Sequence, residues 1–288
     1  MRNILPIYHM ICSVIAFSIM YTIVTYLNRF SVYQILFFRA IGSLSLIIPL
    51  ILIKKIPILG NNKRLLLFRA ILGIFSMTLF FLSIKYLGVG VSVSIRYLSP
   101  IFGTIFALIF LKEKVKLIQW VFILLALLGV YFVKGFEQNI FSIGILFALL
   151  SAISIGIIFV ITSKIGNSES SLVIVNYFMF LTLIFGALSS FSYWVNPNFK
   201  ELVLLLFSGV FGFVGVFYMT KSFQNSKVNI VAPIKYLEVI LAIIIGFSYF
   251  KESYTIFTIL GVTLILIGVF CNFYFSFKSP SKSFKSKI

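Results

Sequence analysis

Apolar runs long enough to cross a lipid bilayer follow one another along this chain from end to end, with few residues between them. A helix needs about 20 residues to cross ~30 Å of hydrocarbon at 1.5 Å per residue. Runs of that order occupy Pro6–Tyr26, Val32–Ile53, Leu65–Ile84, Val89–Leu111, Ile118–Val133, Phe141–Ser163, Ser170–Ser192, Leu202–Ser222, Val228–Phe250 and Thr255–Phe275. Hydrocarbon offers no partner to a backbone N–H or C=O, so runs of this length form helices. They predict an all-α integral membrane protein with ten transmembrane helices. Only 10% of the 288 residues are charged, against roughly a quarter in a soluble domain. A water-soluble fold is excluded. Cys12 and Cys271 lie in apolar stretches with no Cys or His at metal-ligand spacing, so the sequence supports neither a disulfide nor a metal site. No cofactor is implied.

The formal charge is +18, which in a soluble protein would point to nucleic acid. Here most basic residues sit in the short breaks between apolar runs, where they act as topology signals, and no nucleic-acid partner is expected. With the N-terminus inside, Arg2, Lys54, Lys55, Lys63, Arg64, Lys112, Lys114, Lys116, Lys164, Lys221, Lys227 and four tail lysines face the cytoplasm, fifteen in all. Arg29, Lys85, Lys134, Lys200 and Lys251 face the other side. Loops rich in Lys and Arg stay in the cytoplasm, so both termini are expected inside, in a multi-pass protein of the cytoplasmic (inner) membrane. The first run has no convincing small-residue cleavage site after it and reads as a retained helix. The polar tail is expected to be disordered and to touch anionic headgroups.

Beneath the hydropathy lies an internal repeat. Sliding the chain by 139 positions lays Gly73 on Gly212, Ser83 on Ser222, Val89 on Val228, Ile95 on Ile234, Tyr97-Leu98 on Tyr236-Leu237, Lys112-Glu113 on Lys251-Glu252 and Gly129-Val130 on Gly268-Val269, without a gap. The expected units are residues 1–137, residues 138–277 and a basic tail, 278–288. Each unit holds five spans, an odd number, so the second enters the membrane in the opposite direction. Inverted repeats recur in secondary transporters, where two similar halves exchange conformations around a central site.

These residues resemble the EamA-type members of the drug/metabolite transporter superfamily over essentially the whole chain. The likeness rests on FFRAIG at Phe37–Gly42, SIRYLSPIFGTIFALIFLKEKV at Ser94–Val115 and PIKYLEVILAIIIGFSYFKES at Pro233–Ser253. The Arg-x-x-Gly of the second helix is also similar to the subgroup of S-adenosylmethionine uptake carriers. The resemblance implies a ten-helix inverted-repeat fold around a central cavity, with substrates ranging from amino acids to nucleotide-like metabolites. The ninth helix departs from the fourth, having Glu238 and Val239 where the shift places Ser99 and Pro100.

Charges inside apolar helices cost roughly 2.5–3.5 kcal/mol each, so each needs a partner, a cavity or a route to the interface. Arg39 lies ~10 Å deep in the second helix and reads either as an anion contact or as a structural donor to helix carbonyls. Arg69 lies within about a turn of the cytoplasmic end of the third helix, where a side chain can snorkel. Arg96 and Lys235 are equivalent under the shift, and each is followed by Tyr-Leu. They form a pair able to meet a negatively charged substrate from either side of the midplane, or a pair that only holds helices in place. Glu238 follows Lys235 by one turn, so it is either a locked ion pair or a proton-coupling carboxylate. Tyr97 and Tyr236 are candidates to stack on a ligand, and Pro100 and Pro233 are candidate hinges. Lys112-Glu113 and Lys251-Glu252 read as caps or gating contacts, and Gly209, Gly212 and Gly215 as close-packing positions. His9 stands alone.

An enzyme would need a cluster of acid, base, nucleophile or metal ligands. Six acidic residues and one His offer almost none. The expected function is alternating-access transport of a small polar metabolite bearing a carboxylate or phosphate, with proton coupling through Glu238 as an option. A lipid-phosphate flippase is the alternative if the cationic groove opens to lipid. A homodimer is compatible with the sequence.

Overall fold

The computed structural model describes residues 4–113, 115–134, 143–248 and 256–278. Every regular element among them is a helix: α1 (Leu5–Tyr26), α2 (Val32–Ile53), α3 (Lys63–Arg96), α4 (Ser99–Phe110), α5 (Leu117–Lys134), α6 (Ile143–Ile165), α7 (Ser171–Ser190) and α8 (Phe199–Gln224). A broken stretch follows, with α9 (Val228–Val231), a 3-10 segment (Ala232–Tyr236) and α10 (Leu237–Ser248), and then α11 (Ile256–Lys278). Six stretches are long and apolar enough to cross a membrane: Leu5–Tyr26, Val32–Ile53, Lys63–Leu87, Ile143–Ser168, Ser171–Tyr193 and Phe199–Gln224. The chain is a multi-pass membrane protein. Shorter apolar helical stretches run over Ser99–Phe110, Leu117–Gly129 and Ile259–Gly268.

Local signals set the helix ends. The Ser31 hydroxyl accepts from Gln34 N–H at 3.1 Å and starts α2. Asn198 and Glu201 exchange side-chain and backbone bonds at 2.9 Å in a capping box that starts α8. After α2, Lys55 takes φ +50°, and Ile56 N–H returns to Ile51 C=O at 3.1 Å, which closes the helix with its last carbonyls satisfied.

The third and fourth spans depart from expectation. Instead of breaking at Lys85–Gly88, α3 continues for 34 residues to Arg96, and the chain breaks at Tyr97-Leu98. Proline clashes with the carbonyl four residues before it. For Pro100 that residue is Arg96, where α3 stops. Gly88 costs only about 1 kcal/mol inside a helix and cannot force an end. In the second half Pro233 lies in the 3-10 segment that follows α9.

The helices pair across the halves. α1 packs on α8 and α6 on α3; α2 packs on α8 and α7 on α3; α4 packs on α6 and α10 on α1. α2 also meets α7, and α5 meets α11. At the α2–α8 crossing, a Cβ on Gly42 would stand 2.2 Å from Leu206 O, and one on Gly209 would stand 2.3 Å from Arg39 O. Glycine alone permits this approach. Connections touch at both ends of α2. At its start, Arg29 pairs with Glu201 at 2.5 Å and Gln34 Nε2 donates to Val195 O at 2.6 Å. Beyond its other end, Glu169 Oε1 accepts from Asn61 and Asn62 N–H, each at 2.6 Å. Lys114, Lys251, Glu252, the basic tail beyond Lys278 and the expected span ends at Phe141, Phe250 and Thr255 lie outside the described residues.

Candidate functional site

A pocket opens between the halves, with about 470 Å³ of non-atom space when the adjoining open solvent is included. Arg39 of α2, Arg69 and Arg96 of α3, and Lys235 of the 3-10 segment all line it. Phe17, Gly73, Met77, Ile155, Ile158, Phe178, Val216 and Met219 complete the wall. The shift read from the sequence relates several residues of this wall. The 139-residue shift that lays Arg96 on Lys235 also lays Met77 on Val216 and Arg39 on Phe178. A Cβ on Gly73 would press on Phe178 at 2.8 Å, and one on Gly212 would press on Arg39 Nε at 2.5 Å, so the equivalent glycines face equivalent residues. Ser13 donates to Gly215 O and Ser151 to Ser76 O, each at 2.8 Å; the shift lays Ser76 on Gly215 and places Ser13 one position from Ser151.

The four cations differ in what holds them. Arg39 is 0% exposed, and none of its three guanidinium nitrogens has a hydrogen-bond partner. Its guanidinium carbon lies 5.9 Å from the centre of the Phe178 ring. Arg69 lies 6.0 Å from that same ring and donates to Thr162 Oγ1 at 3.4 Å and Thr220 Oγ1 at 3.2 Å. Arg96 donates to Tyr21 OH at 2.7 Å and stacks 3.9 Å above the Phe80 ring. Lys235 donates to Glu238 Oε1 at 2.5 Å, and Glu238 Oε2 accepts from Tyr97 OH at 3.4 Å. Tyr236 packs beside Tyr97 at 6.0 Å between ring centres, with its hydroxyl unpartnered. Thus Arg39, Arg96 and Lys235 line the space, Glu238 and Tyr97 stand behind Lys235, and Tyr236 is further back.

Arg69 corrects the sequence reading. It does not snorkel to the interface; it is 2% exposed, because α3 is wrapped by α6 and α7 and residue 69 faces them. The signal was available. Arg69 and Gly73 are one turn apart on the same helical face, and Gly73 is a landmark of the repeat. Phe178 could have been found as the counterpart of Arg39 under the shift.

At the cytoplasmic end expected from the charge pattern, Glu113 reaches across the halves. Its carboxylate accepts from Val228 N–H at 3.1 Å and Asn229 N–H at 3.4 Å. These are the first two residues of α9, whose N-cap Lys227 has no side-chain cap of its own. Burial raises the Glu113 carboxyl above its ordinary value, against the opposing pull of the two backbone N–H groups and Lys227.

Comparison with known proteins gives the family. The model of the EamA-like transporter family matches twice, over residues 4–135 and 142–274. An S-adenosylmethionine uptake transporter of Rickettsia bellii is 25% identical, covering 88% of each chain. A pseudopaline exporter of Pseudomonas aeruginosa is 26% identical over 82% of this chain and 84% of its own. Solute carrier family 35 member G1 of Mus musculus is 26% identical over 92% and 77%. A protein solved by crystallography, 16% identical, shares the fold at a TM-score of 0.71 over 93% of this chain and 99% of its own. With two matched stretches that together take in nearly the whole sequence, the chain belongs to the EamA-like transporter family of the drug/metabolite transporter superfamily.

Proposed function

We propose that this protein carries a small polar metabolite bearing a carboxylate or phosphate across the cytoplasmic membrane by alternating access. The observation that carries this reading is the cavity between the halves, where Arg39, Arg69 and Arg96 have no carboxylate partner among the described residues. Buried cations without counter-charge are costly in a membrane and mark a substrate path. An anion entering the cavity supplies that counter-charge.

The architecture proposed is ten spans in two inverted repeats, residues 1–137 and 138–277, followed by a basic cytoplasmic tail at 278–288. Its support is the double family match and the position of equivalent connections. The α1–α2 connection meets the start of α8 at one end of α2, through Arg29 and Glu201. Its counterpart, the α6–α7 connection, meets the start of α3 at the other end, through Glu169 and Asn62. Two halves related in this way can rock around a fixed central site. In this reading Pro100 and Pro233 mark hinges, since each opens a new helical segment after a break.

Glu238 is proposed as the coupling group, because it is bonded to a cavity cation without itself lining the cavity. A lipid-phosphate substrate is disfavoured by the burial of Arg39 and Arg69, which do not reach a lipid-facing surface.

The test is flux of a mixed metabolite pool into proteoliposomes, read by mass spectrometry with and without a proton gradient. A few anionic solutes should accumulate, Arg96→Ala should cut their uptake at least tenfold, and Glu238→Gln should remove only the effect of the gradient. No flux through folded wild-type protein would overturn the transport reading. Flux insensitive to both substitutions would overturn the assigned site.

A further inference from the structure

We infer that the substrate is a dianion, and that Arg69, together with Arg39, forms an anchor for its second negative charge. This rests on the transport reading above.

The halves are related by the repeat, yet the cations are not evenly shared. Arg96 has Lys235 as its counterpart, but Arg39 corresponds to Phe178 and Arg69 to Ser208. The first half alone therefore adds two guanidinium groups, and both approach the same ring, Phe178, at 5.9 and 6.0 Å. Neither has an acidic partner among the described residues. Among the described residues the ion pairs are Arg29–Glu201 and Lys235–Glu238. Glu113 and Glu169 are bonded to backbone N–H groups at the ends of other helices.

Charge then sets the substrate class. Glu238 offsets Lys235, which leaves Arg39, Arg69 and Arg96 to be balanced. A singly charged anion leaves two of them uncompensated in a low-dielectric space, where the cost is greatest. A dianion leaves one, and that one, Arg96, already has a hydroxyl partner and an aromatic face beneath it. Arg39 can offer several N–H donors in the planar fork that suits a carboxylate or phosphate, and all three of its nitrogens are free to do so. The two arginines share an aromatic neighbour, Phe178, rather than an acidic one among the described residues. The structure thus keeps both guanidinium groups buried and without a carboxylate partner among the described residues, Arg69 held by Thr162 and Thr220 and Arg39 with no hydrogen-bond partner. The shared chemistry is two negative charges on oxygen, borne either by two carboxylates or by one phosphate monoester.

The experiment uses the full chain in lipid nanodiscs and measures binding by calorimetry and thermal protection. The probes are butyrate, succinate and glycerol 3-phosphate. At least one dianion should bind wild type ten times or more tightly than butyrate. Which dianion does so separates the dicarboxylate from the phosphate monoester. Arg69→Gln retains an amide for Thr162 and Thr220 and should reduce the preference to threefold or less. Arg29→Gln, at the membrane surface, should leave the preference intact. Equal binding of all three probes to wild type, no binding of either dianion, or an unchanged preference in folded Arg69→Gln would overturn the inference. Should Arg69→Gln not fold, the wild-type comparison decides by itself. Proteoliposome flux of other solutes, alongside a missing dianion preference, would overturn this inference and leave the transport reading standing.

Discussion

Arg39 sits where it does because residue 212 has no side chain: a Cβ there would come within 2.5 Å of the Arg39 Nε. The Gly212→Ala protein is therefore expected to fold but to hold Arg39 in a displaced rotamer, with anion uptake into proteoliposomes at least tenfold lower. Gly209→Ala acts differently, since its Cβ would meet the Arg39 backbone carbonyl at 2.3 Å. It should cost about 1–3 kcal/mol of stability as an overpacked contact, seen as a lower melting temperature in detergent. At this scale the sequence was informative about chemistry and poor about direction. Arg39, Arg96, Lys235 and Glu238 stood out because charges are rare in apolar helices. Arg69 stands out equally, but its position near a helix end reads as a snorkelling side chain, since depth along a helix is legible from spacing while the face it presents depends on the neighbours. Tyr97 turned out to be a hydrogen-bond partner of Glu238, a contact across 141 positions that no local pattern specifies.

Among the elements, the broken helices carry the interest. Both breaks lie at prolines and were legible as kinks, but the long run of α3 through Lys85–Gly88 was not, because loop and helix differ there by little free energy. The asymmetry matters at the end of the molecule that carries Glu113. There the start of α9 is capped by Glu113 from the other half of the molecule, and α9 leads directly to Lys235. Glu113→Ala should expose the amides of Val228 and Asn229, with hydrogen exchange at least tenfold faster at both. The pH dependence has a defined sign. The docked carboxyl binds its proton more tightly than one exposed to water, whose ordinary value is 4.5. Docking is therefore strongest below that value and weakens as pH rises through the raised one. Labelling of Ser226→Cys by a maleimide, taken as a ratio to the same reporter in Glu113→Gln protein, should rise over that window.

For the whole molecule, the testable statement is topology. Cysteines at Asn61 and Ser168 should label from the cytoplasm and one at Asn196 from the opposite side, in intact cells with impermeant reagents. The reverse pattern would invert the proposed orientation. The sequence by itself determined the solvent: its runs of apolar residues leave helices in a membrane as the one solution, because backbone groups in hydrocarbon must bond within their own segment. It also determined the duplication, since a shift of 139 positions is a property of the letters alone. Only the tertiary structure decided that Arg39, Arg69, Arg96 and Lys235, scattered over nearly 200 positions (39 to 235), share one cavity. The reason is physical. A membrane helix of uniform hydrophobicity carries almost no signal of which face turns inward, so close glycine contacts and the packing of one half against the other choose it.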